Sequence, residues 1–211
     1  MQIPVKDVLR QAPVIPVLVI EDPAHAVPLA RALYHGGLPV LEITLRTPVA
    51  LEAIGAIKAA VPEAIVGAGT VITTDDISNC SAVGAQFMVS PGSTPALLDA
   101  AIAQAIPLLP GAASASEAMQ LLERGISCMK FFPAEAAGGI ALLKSLAGPL
   151  PQITFCPTGG INLQKASEYL ALPNVECVGG SWMAAPALVN NEDWTEIESL
   201  ARQAAALKEN R

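Results

Sequence analysis

The segment Cys128-Met129-Lys130-Phe131-Phe132-Pro133 sets a lysine in the middle of a near-continuous apolar run. Lys6, Lys58, Lys144, Lys165 and Lys208 fall instead in segments of helical period with polar neighbours, and read as solvated. If the run is a strand, alternation puts Lys130 on one face with Cys128 and Phe132, and Met129 and Phe131 on the other. An inward lysine among apolar side chains loses hydration, which favours the neutral amine, a nucleophile toward a carbonyl carbon. A lysine that merely pairs with a buried acid is the other reading.

The acid stands in a second apolar run, Leu41-Glu42-Ile43-Thr44-Leu45-Arg46. In an extended strand Glu42, Thr44 and Arg46 share one face, and a rise of about 3.3 Å per residue separates Glu42 from Arg46 by about 13 Å. The two cannot neutralise each other directly. Glu42 is expected to look across the fold to a cation or proton-transfer partner, and Arg46 to an anion at the mouth of a site. A carboxylate near a buried lysine suits imine chemistry, which needs proton transfers as a carbinolamine forms, an enamine forms and a C–C bond breaks. A plain Lys130–Glu42 ion pair fits the same arrangement.

Three further runs end in hydroxyls and bare backbone: Gly67-Ala68-Gly69-Thr70, Cys156-Pro157-Thr158-Gly159-Gly160 and Gly179-Gly180-Ser181. Glycines leave N–H groups uncovered toward an anion, and a following helix N-terminus adds attraction. Glycine pairs after the seventh and eighth strands of a barrel are where phosphate sites recur. Turn chemistry alone would also use glycine.

The elements that must position these groups alternate along the chain. Eight short apolar runs read as strands: Val14 to Ile20, Val40 to Leu45, Ala64 to Gly69, Phe87 to Ser90, Pro107 to Pro110, Cys128 to Phe132, Ile153 to Pro157 and Val175 to Gly179. Between them lie amphipathic segments such as Val49 to Ala60 and Ser116 to Arg124, with apolar residues at three- and four-residue intervals. Thr47-Pro48, Thr94-Pro95 and Ser114 to Glu117 read as helix starts, and Gly37, Gly84 and Gly125 as helix ends. This alternation predicts an α/β protein, one (β/α)8 TIM-barrel domain over residues 1–211. Residues 1–11 are expected to form a short extra helix before the first strand, and residues 193–209 the last helix. No GxGxxG follows the first run, which argues against a doubly wound nucleotide-binding sheet.

With 52% hydrophobic and 15% charged residues in 211, the chain reads as globular rather than disordered. A net charge of -7 argues against a large nucleic-acid footprint. No apolar run reaches the roughly 18 residues of a membrane span, and residues 1–6 lack a secretory signal, so a soluble, cytoplasmic protein is expected. Cys80, Cys128, Cys156 and Cys177 are widely spaced and read as buried, reduced thiols; with only His25 and His35 besides, no metal centre is expected. Both histidines are read as remote from the strand ends, and Trp182 and Trp194 as packing residues.

Six runs, LEITLRTP, VGAGTV, SPG, KFFPAE, CPTGGI and VGGSW, resemble in order and spacing those of the 2-keto-3-deoxy-6-phosphogluconate (KDPG) aldolases, also described as 4-hydroxy-2-oxoglutarate aldolases. The resemblance covers Val14 to Met183. It implies a class I aldolase with Lys130 as the Schiff-base lysine and Glu42 as the proton-transferring residue. Arg46 and Thr70 would bind the pyruvate carboxylate, Pro91 and Phe132 would line the pocket around the imine, and Thr158 would face the substrate hydroxyls. Gly159, Gly160, Gly179, Gly180 and Ser181 would hold a phosphate. The family needs no metal or organic cofactor and is typically a homotrimer.

The implied reaction is reversible cleavage of 2-dehydro-3-deoxy-6-phosphogluconate to pyruvate and D-glyceraldehyde 3-phosphate, with 4-hydroxy-2-oxoglutarate, giving pyruvate and glyoxylate, as a further substrate. An aldolase for the galactonate epimer would use the same lysine, and Arg46-Thr47 favours the gluconate branch within that resemblance. A barrel that binds a phosphorylated ligand without chemistry would account for the glycines but leave Lys130 and Glu42 without purpose.

Overall fold

The computed structural model describes residues 4–208; the parts of the expected terminal helices at residues 1–3 and 209 lie outside the described residues. A short helix α1 (Val5–Leu9) precedes the first βα unit, strand β1 (Val14–Leu18) and helix α2 (Ala26–His35). The pattern repeats through β2 (Val40–Thr44), α3 (Ala50–Ala60), β3 (Ile65–Gly69), α4 (Thr74–Ala82), β4 (Met88–Val89) and α5 (Pro95–Ala103). It continues with β5 (Leu108–Leu109), β6 (Gly111–Ala112), α6 (Ala115–Glu123), β7 (Cys128–Phe131), α7 (Gly139–Ala147), β8 (Thr154–Pro157) and α8 (Leu163–Leu170). Strand β9 (Val178–Gly180) leads to α9 (Pro186–Asn190) and α10 (Trp194–Ala205).

All strand pairs are parallel, in two curled sheets ordered β5-β4-β3-β2-β1-β9 and β6-β7-β8. The chain passes from one sheet to the other at Pro110, between β5 and β6. Isolated bridges Phe155↔Val175 and Thr158↔Gly179 link β8 to the segment that carries β9.

Alternation along each strand divides the apolar residues into two layers. Leu41, Ile43, Met129, Phe131 and Phe155 face outward and pack with helix residues such as Leu29, Leu33, Ile54 and Leu121. Ile15, Val40, Phe87, Val89, Leu109, Cys128, Cys156 and Cys177 form a second layer on the concave side, and Val8 and Leu9 of α1 belong to it. Val40 and Cys128 begin their strands two residues before Glu42 and Lys130, so in β2 and β7 this layer lies on the N-terminal side of those two polar residues.

The boundaries differ from the sequence expectation at informative places. Strand β2 stops at Thr44, because the chain turns through Leu45 and Arg46, with the Arg46 N–H donating to the Thr44 carbonyl at 2.8 Å. Arg46 is therefore placed by a turn and not by strand alternation. The fifth expected strand, Pro107 to Pro110, appears as β5, and a further strand, β6, follows it beyond Pro110, which has no N–H to give although its carbonyl accepts from Lys130 N at 2.9 Å. Thr47 does not cap α3; its hydroxyl donates to the Ile20 carbonyl at 2.6 Å. Thr94 and Ser114 do cap α5 and α6. Among the described residues, no helix is long and apolar enough to cross a membrane.

Candidate active site

Lys130 is fixed from both sides of its strand. Met129 and Phe131, each fully buried, anchor the outer face of β7, which turns Lys130 to the concave side. Its Nζ lies 3.1 Å from Glu42 Oε1, with the two side chains 5% and 4% exposed. Glu42 belongs to the six-stranded sheet and Lys130 to the three-stranded one, so the pair spans the concave space between them. The Phe132 ring centroid stands 5.4 Å from Nζ, within cation–π range.

Glycines make room for this pair. In register, Lys130 is flanked by Gly111 and Cys156, and Glu42 by Val17 and Gly67. A Cβ on Gly69 would stand 2.2 Å from Glu42 Oε1, so the carboxylate occupies the space a side chain there would fill. A Cβ on Gly111 would meet the Pro91 carbonyl oxygen at 2.2 Å; its absence lets the Ser90-Pro91-Gly92 loop close onto the strand beside Lys130. The Ser90 hydroxyl in that loop is buried and finds no hydrogen-bond partner among the described residues.

Arg46 and Thr70 meet at the rim, with Arg46 Nε donating to Thr70 Oγ1 at 3.1 Å. Thr70 holds φ at +59°, a left-handed conformation costing a non-glycine residue roughly 1–3 kcal/mol, of the kind that gathers at functional sites. The turn carrying Arg46 is tied to β3 by the Leu45 N–H donating to the Gly69 carbonyl at 2.8 Å. Arg46 is exposed, and of the five N–H donors of its guanidinium Nε is the one given to Thr70.

Thr158 is 6% exposed, and its hydroxyl donates to the Cys156 carbonyl at a long 3.5 Å. A Cβ on Gly179 would fall 2.3 Å from Thr158 Oγ1, so these two residues share one space across the bridge. Gly159 and Gly160 take φ of +109° and +77°, which glycine alone adopts freely. Their loop is fastened to the one after β7: Ala134 N–H donates to Thr158 O at 2.8 Å and Glu135 N–H to Gly159 O at 3.2 Å.

Gly180 packs under Trp182, since a Cβ there would enter the indole ring. Ser181 is exposed and lines a cavity of about 650 Å³ with Val17, Glu21, Asp22 and Asn190. His25 lines the same cavity. It lies beside the ends of β1 and β9 and not, as its sequence position suggested, remote from strand ends. Its Nε2 is 3.7 Å from Glu192 Oε1.

Sequence reasoning assigned no role to Glu135, which the structure makes a junction. Its carboxylate accepts from the Tyr169 hydroxyl at 2.5 Å and from the Lys165 ammonium, both on α8. Lys165, then Tyr169, hold the Glu135 carboxyl below its usual range, while burial and this carboxylate push the Tyr169 phenol up. Its signal in the sequence is its place at the end of the KFFPAE run. Among the described residues no group of three or more His, Cys, Asp or Glu side chains is placed to hold a metal ion.

The family model described as KDPG and KHG aldolase matches residues 5–200. The chain is 53% identical over 201 residues to 2-dehydro-3-deoxy-phosphogluconate aldolase of Pseudoalteromonas atlantica, covering 95% of this chain and 94% of that protein. It superimposes with a TM-score of 0.93 on KDPG aldolase from Legionella pneumophila with pyruvate captured at low pH as a covalent carbinolamine intermediate; the two are 49% identical, with 95% of this chain and 97% of that one covered. The 2-keto-3-deoxy-6-phosphogluconate aldolase of Zymomonas mobilis, solved with 3-phosphoglycerate, matches with a TM-score of 0.91 and 50% identity over 95% of this chain and 94% of that one.

Proposed function

The chain belongs to the KDPG and KHG aldolase family, and from that premise we propose a Schiff-base mechanism carried by Lys130 and Glu42. The protein is a class I aldolase that reversibly cleaves 2-dehydro-3-deoxy-6-phosphogluconate to pyruvate and D-glyceraldehyde 3-phosphate. The observation that carries the residue assignment is the buried Lys130–Glu42 pair, 3.1 Å from nitrogen to oxygen. A buried amine needs a neighbour that can take and return its proton, and the carboxylate is within reach to do both.

Lys130 attacks the C2 ketone, and the carbinolamine loses water to give a protonated imine. Glu42, through a water, takes the proton of the C4 hydroxyl. The C3–C4 bond breaks with its electron pair drawn into the imine, releasing glyceraldehyde 3-phosphate and leaving an enamine on the lysine. Glu42 returns a proton to C3, and hydrolysis of the pyruvate imine frees Lys130. Arg46 and Thr70 hold the carboxylate at the rim, Pro91 and Phe132 enclose the imine, and Thr158 faces the substrate hydroxyls. Gly159, Gly160, Gly179, Gly180 and Ser181 receive the phosphate.

The pyruvate half of 4-hydroxy-2-oxoglutarate is the same, and the family's description includes it. We therefore propose it as a second substrate, cleaved to pyruvate and glyoxylate. The curled sheets form one closed (β/α)8 domain in this reading, supported by the bridges between β8 and the β9 segment and by the continuous chain from β5 to β6. The resemblance implies a homotrimer; the exposed side chains of Ile72, Ile102 and Met119 offer apolar surface that contact between copies would cover. The free, buried thiols of Cys80, Cys128 and Cys156 support a cytoplasmic location.

Incubation with pyruvate and sodium borohydride, followed by mass spectrometry, tests the assignment. A reduced adduct on the Lys130 peptide is expected, and its absence would refute the mechanism. Turnover of the gluconate and galactonate epimers, measured side by side, tests the choice of substrate.

A further inference from the structure

Glu135 joins two loops that carry site residues. Its backbone N–H and that of Ala134 hold the carbonyls of Gly159 and Thr158, and its carboxylate grips Lys165 and Tyr169 on α8. The loop containing Gly159 and Gly160 runs directly into α8 through its N-cap Asn162, whose side chain accepts from Lys165 N at 3.0 Å. Contact is close throughout: a Cβ on Gly160 would lie 2.8 Å from Glu135 Cγ, and one on Gly139 would lie 3.2 Å from the Tyr169 hydroxyl oxygen. Tyr169 is fully buried, so its phenol is a fixed donor.

Two consecutive glycines with positive φ have no side chains to hold their amide orientation, and freedom of that kind is lost only when something else constrains them. We propose that Glu135 is the positioning residue for the phosphate end of the substrate: by clamping α8 to the loop after β7, it holds the Gly159–Gly160 backbone in its anion-receiving geometry. The inference rests on the reading of that glycine loop as a phosphate cradle. Glu135 touches neither the reacting carbons nor Lys130 in this scheme, so its effect falls on binding of one end of the substrate.

Steady-state kinetics on 2-dehydro-3-deoxy-6-phosphogluconate and on its unphosphorylated analogue test this in wild type, Glu135→Gln and Tyr169→Phe, with borohydride trapping of pyruvate alongside. Glu135→Gln is expected to raise KM for the phosphorylated substrate about 10-fold, the scale of one lost charge-assisted hydrogen bond. kcat, KM for the analogue and pyruvate trapping should stay within about 2-fold. Tyr169→Phe should shift KM in the same direction by less. Equal KM increases for both substrates, or full retention of the phosphate preference in Glu135→Gln, would overturn the role of Glu135. Should Glu135→Gln fail to fold, Lys165→Gln and Tyr169→Phe decide the matter, and unchanged phosphate preference in both overturns it. A wild-type enzyme with the same KM for both substrates would instead sink the cradle reading itself.

Discussion

Lys130 Nζ and Glu42 Oε1 stand 3.1 Å apart although 88 residues separate them in the chain, and each comes from a different sheet. Neither charge has bulk water for a neighbour, so each depends on the other for compensation. That dependence makes the pair both a reactive centre and a point of vulnerability.

Replacing Lys130 by Ala should abolish the pyruvate adduct and lower aldol cleavage on the order of 10⁴-fold or more, the scale of losing a covalent nucleophile. Borohydride trapping and initial rates read both effects. Full aldolase activity in this variant would show that the nucleophile is elsewhere.

Glu42→Gln should slow turnover by about 10²- to 10⁴-fold, the usual range for one general acid/base, while still permitting trapping of pyruvate on Lys130. A variant that neither turns over nor traps would mean that Glu42 is needed to keep the lysine in place, not for proton transfer.

The stability of the pair is separable from its chemistry. Lys130→Met strands the Glu42 carboxylate in a buried site and should cost about 3–5 kcal/mol in urea unfolding, with much of the loss recovered in the Lys130→Met/Glu42→Gln double variant. Additive losses in the double variant would contradict the coupling.

Gly69→Ala places a methyl 2.2 Å from where Glu42 Oε1 now sits. The carboxylate must move, and a displacement near 1 Å should lower kcat by about 10²-fold with the circular dichroism spectrum of the fold retained. Unchanged kcat would show that Glu42 acts from another position.

Glu135 gives the protein a stability term that depends on pH. Lys165 and Tyr169 hold its folded-state carboxyl below the usual 4.5, so the contribution is present above that value and fades as pH falls through the lowered one. Wild type should exceed Glu135→Gln by about 1 kcal/mol near pH 7, with solvent screening discounted, and the gap should close in acid. A gap that widens as pH falls would reverse the sign argued here.

Burial, with Asp76 adding to it, pushes the Cys80 thiol up to about 12, and burial also raises Cys128. Both should resist alkylation in the native protein and react on unfolding. Rapid native labelling of Cys80 by iodoacetamide, read by peptide mass, would contradict its buried position.

Much of this was legible in residue order. Each of the eight apolar runs holds a strand, although β6 (Gly111–Ala112) falls outside them all, and a lysine in one run and a glutamate in another were costly enough to bury that each demanded a reason. Thr70 and Thr158 stood out as hydroxyls closing apolar runs and Pro91 by resemblance alone; all three lie just past strand ends, at β3, β8 and β4. Strand alternation failed at Arg46, because the chain turns one residue before the pattern would end, and β6, beyond the Pro110 at which the fifth run stops, was not foreseen.

What the sequence determined alone was the local pattern: which residues alternate, which helices are capped, and which side chains are out of place in an apolar strand. Only the tertiary structure decided who meets whom. Lys130 reaches Glu42 because two sheets curl toward one concave space, and Glu135 reaches Lys165 and Tyr169 because the loop after β7 lies against α8. Such contacts join residues tens of positions apart, and no periodicity records them. Glycine is the case where the two levels join: the sequence names Gly69, Gly111 and Gly179, but only packing shows that each leaves its empty space to Glu42, Pro91 or Thr158.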